Sequence, residues 1–230
     1  MIRTAVDGAV RTVTLDRPDH RNALTVSGLE DLRSVVEDAT EPVVYLHGAG
    51  EAFCAGADLE TVAGLTGDRA EAFARHGQEV AGTLAAYDGA VVAGIDGPAR
   101  GGGVELALAC DVRAATPDAT LAETGARIGL FGAWGGTVRL PELVGHGEAM
   151  DVALSGRTLD ADEARRMGLV SRVVDDPRTV AAEIADNDAA TTRTIKARIR
   201  DDTDRKTQET REARAFARLV EDFHPKDRNG

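Results

Sequence analysis

The stretch Gly101-Gly102-Gly103-Val104-Glu105-Leu106-Ala107-Leu108-Ala109-Cys110-Asp111 decides how the rest of the chain is read. It follows the apolar, β-branched run Val91-Val92-Ala93-Gly94-Ile95 and the turn pair Gly97-Pro98, so the order is strand, tight loop, helix. A helix that starts in three glycines leaves backbone N–H groups without intrahelical partners, and the helix dipole adds partial positive charge there. Such a start can hold an anion, or a carbonyl oxygen that becomes one. Glu105 falls in the first turn, within reach of that ligand. The same glycines also suit close packing, and an acidic residue in a first turn is an ordinary dipole partner. On this stretch alone both readings stand.

Outward from it, the same pattern recurs. Pro42-Val43-Val44-Tyr45-Leu46-His47 reads as a buried strand ended by Gly48-Ala49-Gly50. The small-residue loop Ala52-Phe53-Cys54-Ala55-Gly56-Ala57-Asp58-Leu59 follows, with Asp58 as a helix N-cap. This is a second strand-to-helix junction with free backbone donors. Nearer the start, the turn Val6-Asp7-Gly8-Ala9 and the strand Val10 to Leu15 predict a hairpin. A loop held by Pro18 leads to a helix capped by Thr25 or Ser27 and running to about Ala39. A helix over 68–86 leads back to the strand at Val91.

Downstream, a third cycle has a strand over 111–115 and a long glycine-rich loop carrying the sole tryptophan, Trp134. Helices over 137–154 and 160–167 follow, the second stopped by Gly168, and then a strand over 170–174. Asp175-Asp176-Pro177 is the strongest boundary. It separates a core over 1–175 from a helical region over 176–230, whose apolar positions are too sparse for a core of its own. Those helices are expected to pack on the body or on another subunit.

Composition narrows the function. A net charge of -12 without any Lys/Arg stripe argues against nucleic acid as a partner. No run of eighteen apolar residues occurs, so no membrane span is expected and the protein reads as soluble and cytoplasmic. Cys54 and Cys110 lie in Ala-rich segments and suit buried, reduced thiols. His20, His47, His76, His146 and His224 are scattered without an i, i+4 partner, which gives no metal site. Gly97-Pro98-Ala99-Arg100-Gly101 does not fit a dinucleotide-binding fingerprint, and no phosphate-binding G-x-x-x-x-G-K-[ST] loop exists.

Five segments together resemble the crotonase, or enoyl-CoA hydratase/isomerase, family. They are Arg17-Pro18 with Arg21-Asn22-Ala23-Leu24, then Ala52 through Leu59, then Gly101 through Ala107, then Gly135-Gly136-Thr137, then Ala164 through Val170. The resemblance implies an α/β fold: a crotonase-like spiral of ββα repeats with a C-terminal helical region that makes trimers or dimers of trimers. It implies an acyl-CoA thioester as substrate, with coenzyme A part of that substrate and no separate cofactor. The family's two oxyanion-hole N–H groups fall at Ala57 and Gly102. Its coenzyme A contacts fall at Ala23, Ala55, Asp58 and Leu59, largely through backbone; the anionic ligand also calls for a local cation, for which Arg21 is the candidate phosphate contact and solvated surface the alternative, while Arg17 is structural beside Pro18.

Glu105 matches the first of the two glutamates that hold a water in the family's hydratases. The second position is Gly125 here, and Glu123, two residues earlier, is the candidate to replace it. Glycine at this place also resembles the naphthoyl-CoA synthase branch, which uses bound bicarbonate but lacks a glutamate at the place of Glu105. The family's isomerases generally keep the second carboxylate and lose the first. Glu105 therefore favours an enoyl-CoA hydratase that adds water to trans-2-enoyl-CoA to give the 3-hydroxyacyl-CoA. Gly125 leaves two alternatives, another acyl-CoA reaction of isomerase or synthase type, or a non-catalytic acyl-CoA binding protein.

Overall fold

Gly8, at a φ of +55°, turns β1 (Ile2–Asp7) back on β2 (Val10–Leu15) as an antiparallel hairpin. The structure is a computed structural model that describes residues 1–221 and 223, so His224 and the rest of the C-terminal end lie outside the described residues. Thr25 caps α1 (Val26–Glu37) by accepting the Gly28 N–H. The apolar run β3 (Val43–Gly48) is followed by α2 (Leu59–Ala63), capped by Asp58, and by α3 (Gly67–Ala86). Then come β4 (Ala90–Ile95), β5 (Pro98–Arg100), α4 (Gly102–Ala109), β6 (Val112–Ala115) and β7 (Thr120–Ala122). The chain closes with α5 (Gly136–Ser155), β8 (Leu159–Asp160), α6 (Ala161–Arg166), β9 (Arg172–Val173), α7 (Arg178–Ala185), α8 (Ala189–Ile199) and α9 (Arg205–Glu221).

Six strands form one sheet in the order β1-β2-β3-β4-β6-β9, parallel from β2 onward. A second, three-stranded sheet runs β5-β7-β8, and the bridges Leu24↔Ala57 and Cys54↔Ala99 extend its pattern to the earlier loops. Successive turns of the chain thus add a strand to the long sheet, a pairing beside the short one, and a helix. This is the spiral of ββα repeats implied by the resemblance.

Strand alternation divides the core. Val44 and Leu46 join the main cluster with Leu29 and Leu32 of α1 and Val80 and Leu84 of α3. Val43 and Tyr45 face the other way, against Val92, Ala114 and the α7 residues Val180 and Ala181. All eight residues of α4 are buried, Glu105 included, and the apolar side chains of the helix belong to the main cluster. An apolar helix with no polar face has to lie inside. Both cysteines are buried free thiols, and no helix among the described residues is long and apolar enough to cross a membrane.

Two local expectations are corrected. The helix expected over 137–154 is broken at Gly145, whose φ of 79° and ψ of 159° are not helical; a glycine adopts this backbone at little cost. The strand expected over 170–174 pairs only at Arg172 and Val173. The boundary at 175 lies directly before α7, and that helix covers the second face of the long sheet.

Asn22 ties the first loop to the loop after β3. It is buried at a φ of 59°, and its Nδ2 donates to the Ala49 carbonyl at 2.9 Å and the Ala52 carbonyl at 2.7 Å. Its Oδ1 accepts the Arg17 N–H at 3.0 Å. Asn22→Ala strands these buried groups and is expected to cost about 2–4 kcal/mol. By calorimetry, Tm should fall by about 5–15 °C; an unchanged Tm would refute the role of Asn22 as a tie.

Candidate active site

The start of α4 is built for donating hydrogen bonds. Gly101 stands before it at a φ of +46°, and the first bond of the helix runs from the Glu105 N–H to the Gly101 carbonyl at 3.0 Å. The N–H groups of Gly102, Gly103 and Val104 therefore have no partner within the helix. Gly56, at a φ of +86°, brings the earlier loop against this end: a Cβ there would stand 2.8 Å from the Gly102 nitrogen and 2.7 Å from the Arg100 carbonyl oxygen. Only glycine permits that approach. Ala57 comes next and lines the same cavity as Gly102, so the fold brings together the two donor-rich junctions read from the sequence.

Glu105 is 2% exposed, and its Oε1 accepts the Trp134 N–H at 2.8 Å and the Gly136 N–H at 2.6 Å. Burial still pushes its carboxyl above the ordinary range, against the pull of those two bonds. Glu123 follows β7 directly, is 5% exposed, and has an Oε1 that is buried without a hydrogen-bond partner. Burial and then the charge of Glu105 push it up to about 9. Gly132 stands between the two carboxyls: a Cβ on it would lie 3.0 Å from Glu105 Oε1 and 3.2 Å from Glu123 Oε2. At neutral pH the pair holds a proton on Glu123, because Glu105 has two N–H donors that favour its charged form and Glu123 Oε1 has none.

Ala55, Ala57, Leu59, Gly102, Glu105 and Glu123 line one cavity of about 240 Å³. Arg21, Ala23 and Asp58 do not line it. Arg21 is exposed at a φ of 50°, and its carbonyl accepts the Ala55 N–H at 2.8 Å. Both oxygens of Asp58 are committed, one to the Thr61 N–H at 2.8 Å and the other to Arg17, which holds the carboxyl down at about 2. Arg17 is thus structural, and the Asp58 backbone is engaged as well, its N–H donating to the Leu24 carbonyl at 2.9 Å and its carbonyl accepting the Val62 N–H at 2.9 Å, which leaves a ligand only the carbonyl's second lone pair.

Sequence reasoning missed the backbone of Trp134 and Gly136 as the holders of Glu105. Their signal was the glycine pair beside a lone tryptophan. The Trp134 ring lies where a Cβ on Gly77 or Gly102 would overlap it, and it meets Phe73 edge-on at 5.7 Å. Gly125 has a packing reason: a Cβ there would lie 2.8 Å from the Phe131 Cα and 2.9 Å from the Leu130 carbonyl oxygen. A side chain at this position would push the loop over 130–132 out of the site.

Residues 5–229 match the family model described as enoyl-CoA hydratase/isomerase. A Mycobacterium tuberculosis protein described as a probable enoyl-CoA hydratase is 39% identical over 172 residues, 73% of this chain and 66% of its own length. The match therefore spans slightly under two thirds of that relative. The short-chain-enoyl-CoA hydratase of Clostridium acetobutylicum is 36% identical over 174 residues, covering 74% of this chain and 67% of that protein. Among solved structures, the enoyl-CoA hydratase of Bacillus anthracis superposes with a TM-score of 0.90 at 34% identity, covering 99% of this chain and 92% of that one. A Thermobifida fusca relative solved in complex with CoA gives a TM-score of 0.86 at 30% identity, covering 96% and 93%.

The proton on Glu123 has a measurable consequence. Between the ordinary glutamate value of 4.5 and about 9 the folded chain keeps this proton while the unfolded chain has released it. The folded state then binds more protons, so this group's contribution to stability falls as pH rises through that window. Relative to Glu123→Gln, which cannot titrate, the wild-type Tm is expected to drop as pH goes from 6 to 9. Parallel Tm curves for the two proteins would show that Glu123 is not held protonated.

Proposed function

We propose that this chain, which belongs to the enoyl-CoA hydratase/isomerase family, adds water to a trans-2-enoyl-CoA to give the 3-hydroxyacyl-CoA. The observation that carries the reading is the pair of buried carboxyls in unlike surroundings, in one cavity with the donor-rich start of α4. Two carboxyls whose environments push their proton affinities apart are suited to act as base and acid at one pH.

In this mechanism the thioester oxygen accepts the N–H groups of Ala57 and Gly102. Glu105, as the carboxylate, takes a proton from water while the water oxygen bonds to C3. The electron pair of the double bond moves through C2 and C1 onto the thioester oxygen, and the resulting enolate is held by the two N–H groups and the positive end of α4. Glu123 then gives its proton to C2 as the enolate collapses. The proton gained by Glu105 restores the pair by exchange, so the net change is one water added. Coenzyme A belongs to the substrate, and no further cofactor enters the balance. Ala55 and Leu59 line the way to the thioester, with Arg21, Ala23 and the backbone of Asp58 as the outer contacts for the nucleotide end.

We place the reaction in the cytoplasm, and the protein in trimers or dimers of trimers built with the C-terminal helices. The support for the assembly is apolar surface on those helices: Ile195, Ile199 and Phe216 are exposed in the single chain. Light scattering should give three or six times the chain mass; a monomer at micromolar concentration would remove this assembly.

The decisive assay follows loss of enoyl-thioester absorbance with crotonyl-CoA. Glu105→Gln and Glu123→Gln should each lower kcat by about 100-fold to 10,000-fold while the fold persists. Near-wild-type turnover by either variant would take that residue out of its role. Acyl-CoA binding without turnover by the wild type would leave a binding protein.

A further inference from the structure

A second cavity lies directly behind the first. It measures about 220 Å³ and is lined by Ala126 and by Leu140, Ala149, Met150 and Ala153 of α5. Apart from Glu123, its polar side chains are Thr137 and His146. Glu123, Gly125, Phe131 and Gly132 line both cavities and form the wall they share. Two of those four residues are glycines, and at Gly125 even a Cβ would meet the backbone of residues 130 and 131. At position 125 the wall is therefore backbone packed on backbone, with no side chain.

We propose that the second cavity takes the distal carbons of the acyl chain, which makes this protein selective for medium-length, unbranched acyl-CoA thioesters. The proposal rests on the acyl-CoA reading above and deepens it. With the thioester oxygen at Ala57 and Gly102 and C2–C3 between Glu105 and Glu123, the next carbons meet the shared wall at Glu123 and Gly132. An apolar chain continuing in that direction enters a space whose lining is mostly apolar, and the volume equals about seven units of roughly 30 Å³, the liquid volume of one water and close to that of one methylene. The competing course lies along α3, where Ala70, Phe73 and Ala74 line the first cavity.

Binding of saturated acyl-CoAs, which cannot be hydrated, tests this independently of turnover. By calorimetry on the wild type, affinity is expected to rise by up to about fourfold per added methylene from butyryl-CoA to about decanoyl-CoA and then level off. Ala153→Phe and Ala126→Phe, which fill the second cavity from two sides, should each lower the decanoyl-to-butyryl affinity ratio at least tenfold, whereas Ala74→Phe should not. An affinity that is flat from butyryl-CoA onward, or a ratio lost in Ala74→Phe and kept in the other two variants, would overturn the proposal. Chain-length dependence without hydration of any enoyl-CoA would instead sink the hydratase reading and leave this one standing.

Discussion

The indole of Trp134 occupies space left by two glycines, Gly77 on α3 and Gly102 at the start of α4, and the site depends on that fit. A methyl group at either position would overlap the ring, so α3, α4 and the loop before α5 are locked against one another by a single side chain. The backbone of the same residue donates to Glu105, and Gly136 adds a second N–H. A buried carboxylate without such donors would cost several kcal/mol or take up a proton. The loop holds the carboxylate, and the ring holds the loop.

That arrangement assigns different work to two copies of one residue type. Glu105 and Glu123 are almost equally buried, yet one has fixed donors and the other has an oxygen with none. The low dielectric sharpens the contrast, since Glu123 also feels the charge of its neighbour. In a chain of net charge -12, no arginine or lysine among the described residues is hydrogen-bonded to either carboxyl. Backbone donors make the larger part of the difference, and the charge of Arg139 adds to it at Glu105.

Elements whose cause is local were legible in the sequence. Thr25 and Asp58 cap helices as their side chains dictate, the run from Val43 is a buried strand, and Gly168 ends α6 at a φ of +85°. The glycines at the start of α4 could be seen to expose donors, and the resemblance pointed to Ala57 as their partner. What no local pattern encodes is distance across the fold. Glu123 after β7 and Glu105 on α4 line one cavity with Ala57, which precedes α2, and that meeting joins residues far apart in the sequence. The Gly145 break did leave a local mark, Gly145 and Gly147 two residues apart within the run, whereas the short β9 is set by how few residues pair with β6.

Because α7 closes the second face of the long sheet, the order of synthesis matters for this chain. As residues leave the ribosome, β2, β3, β4 and β6 can pair well before Val180 and Ala181 exist to cover Tyr45, Val92 and Ala114. During that interval the nascent protein carries a sheet with one apolar face bare, the kind of surface that aggregates or recruits a chaperone. Folding of the catalytic body is therefore completed from its C-terminal side, and a chain halted at the boundary before α7 would be a sticky intermediate rather than a smaller domain.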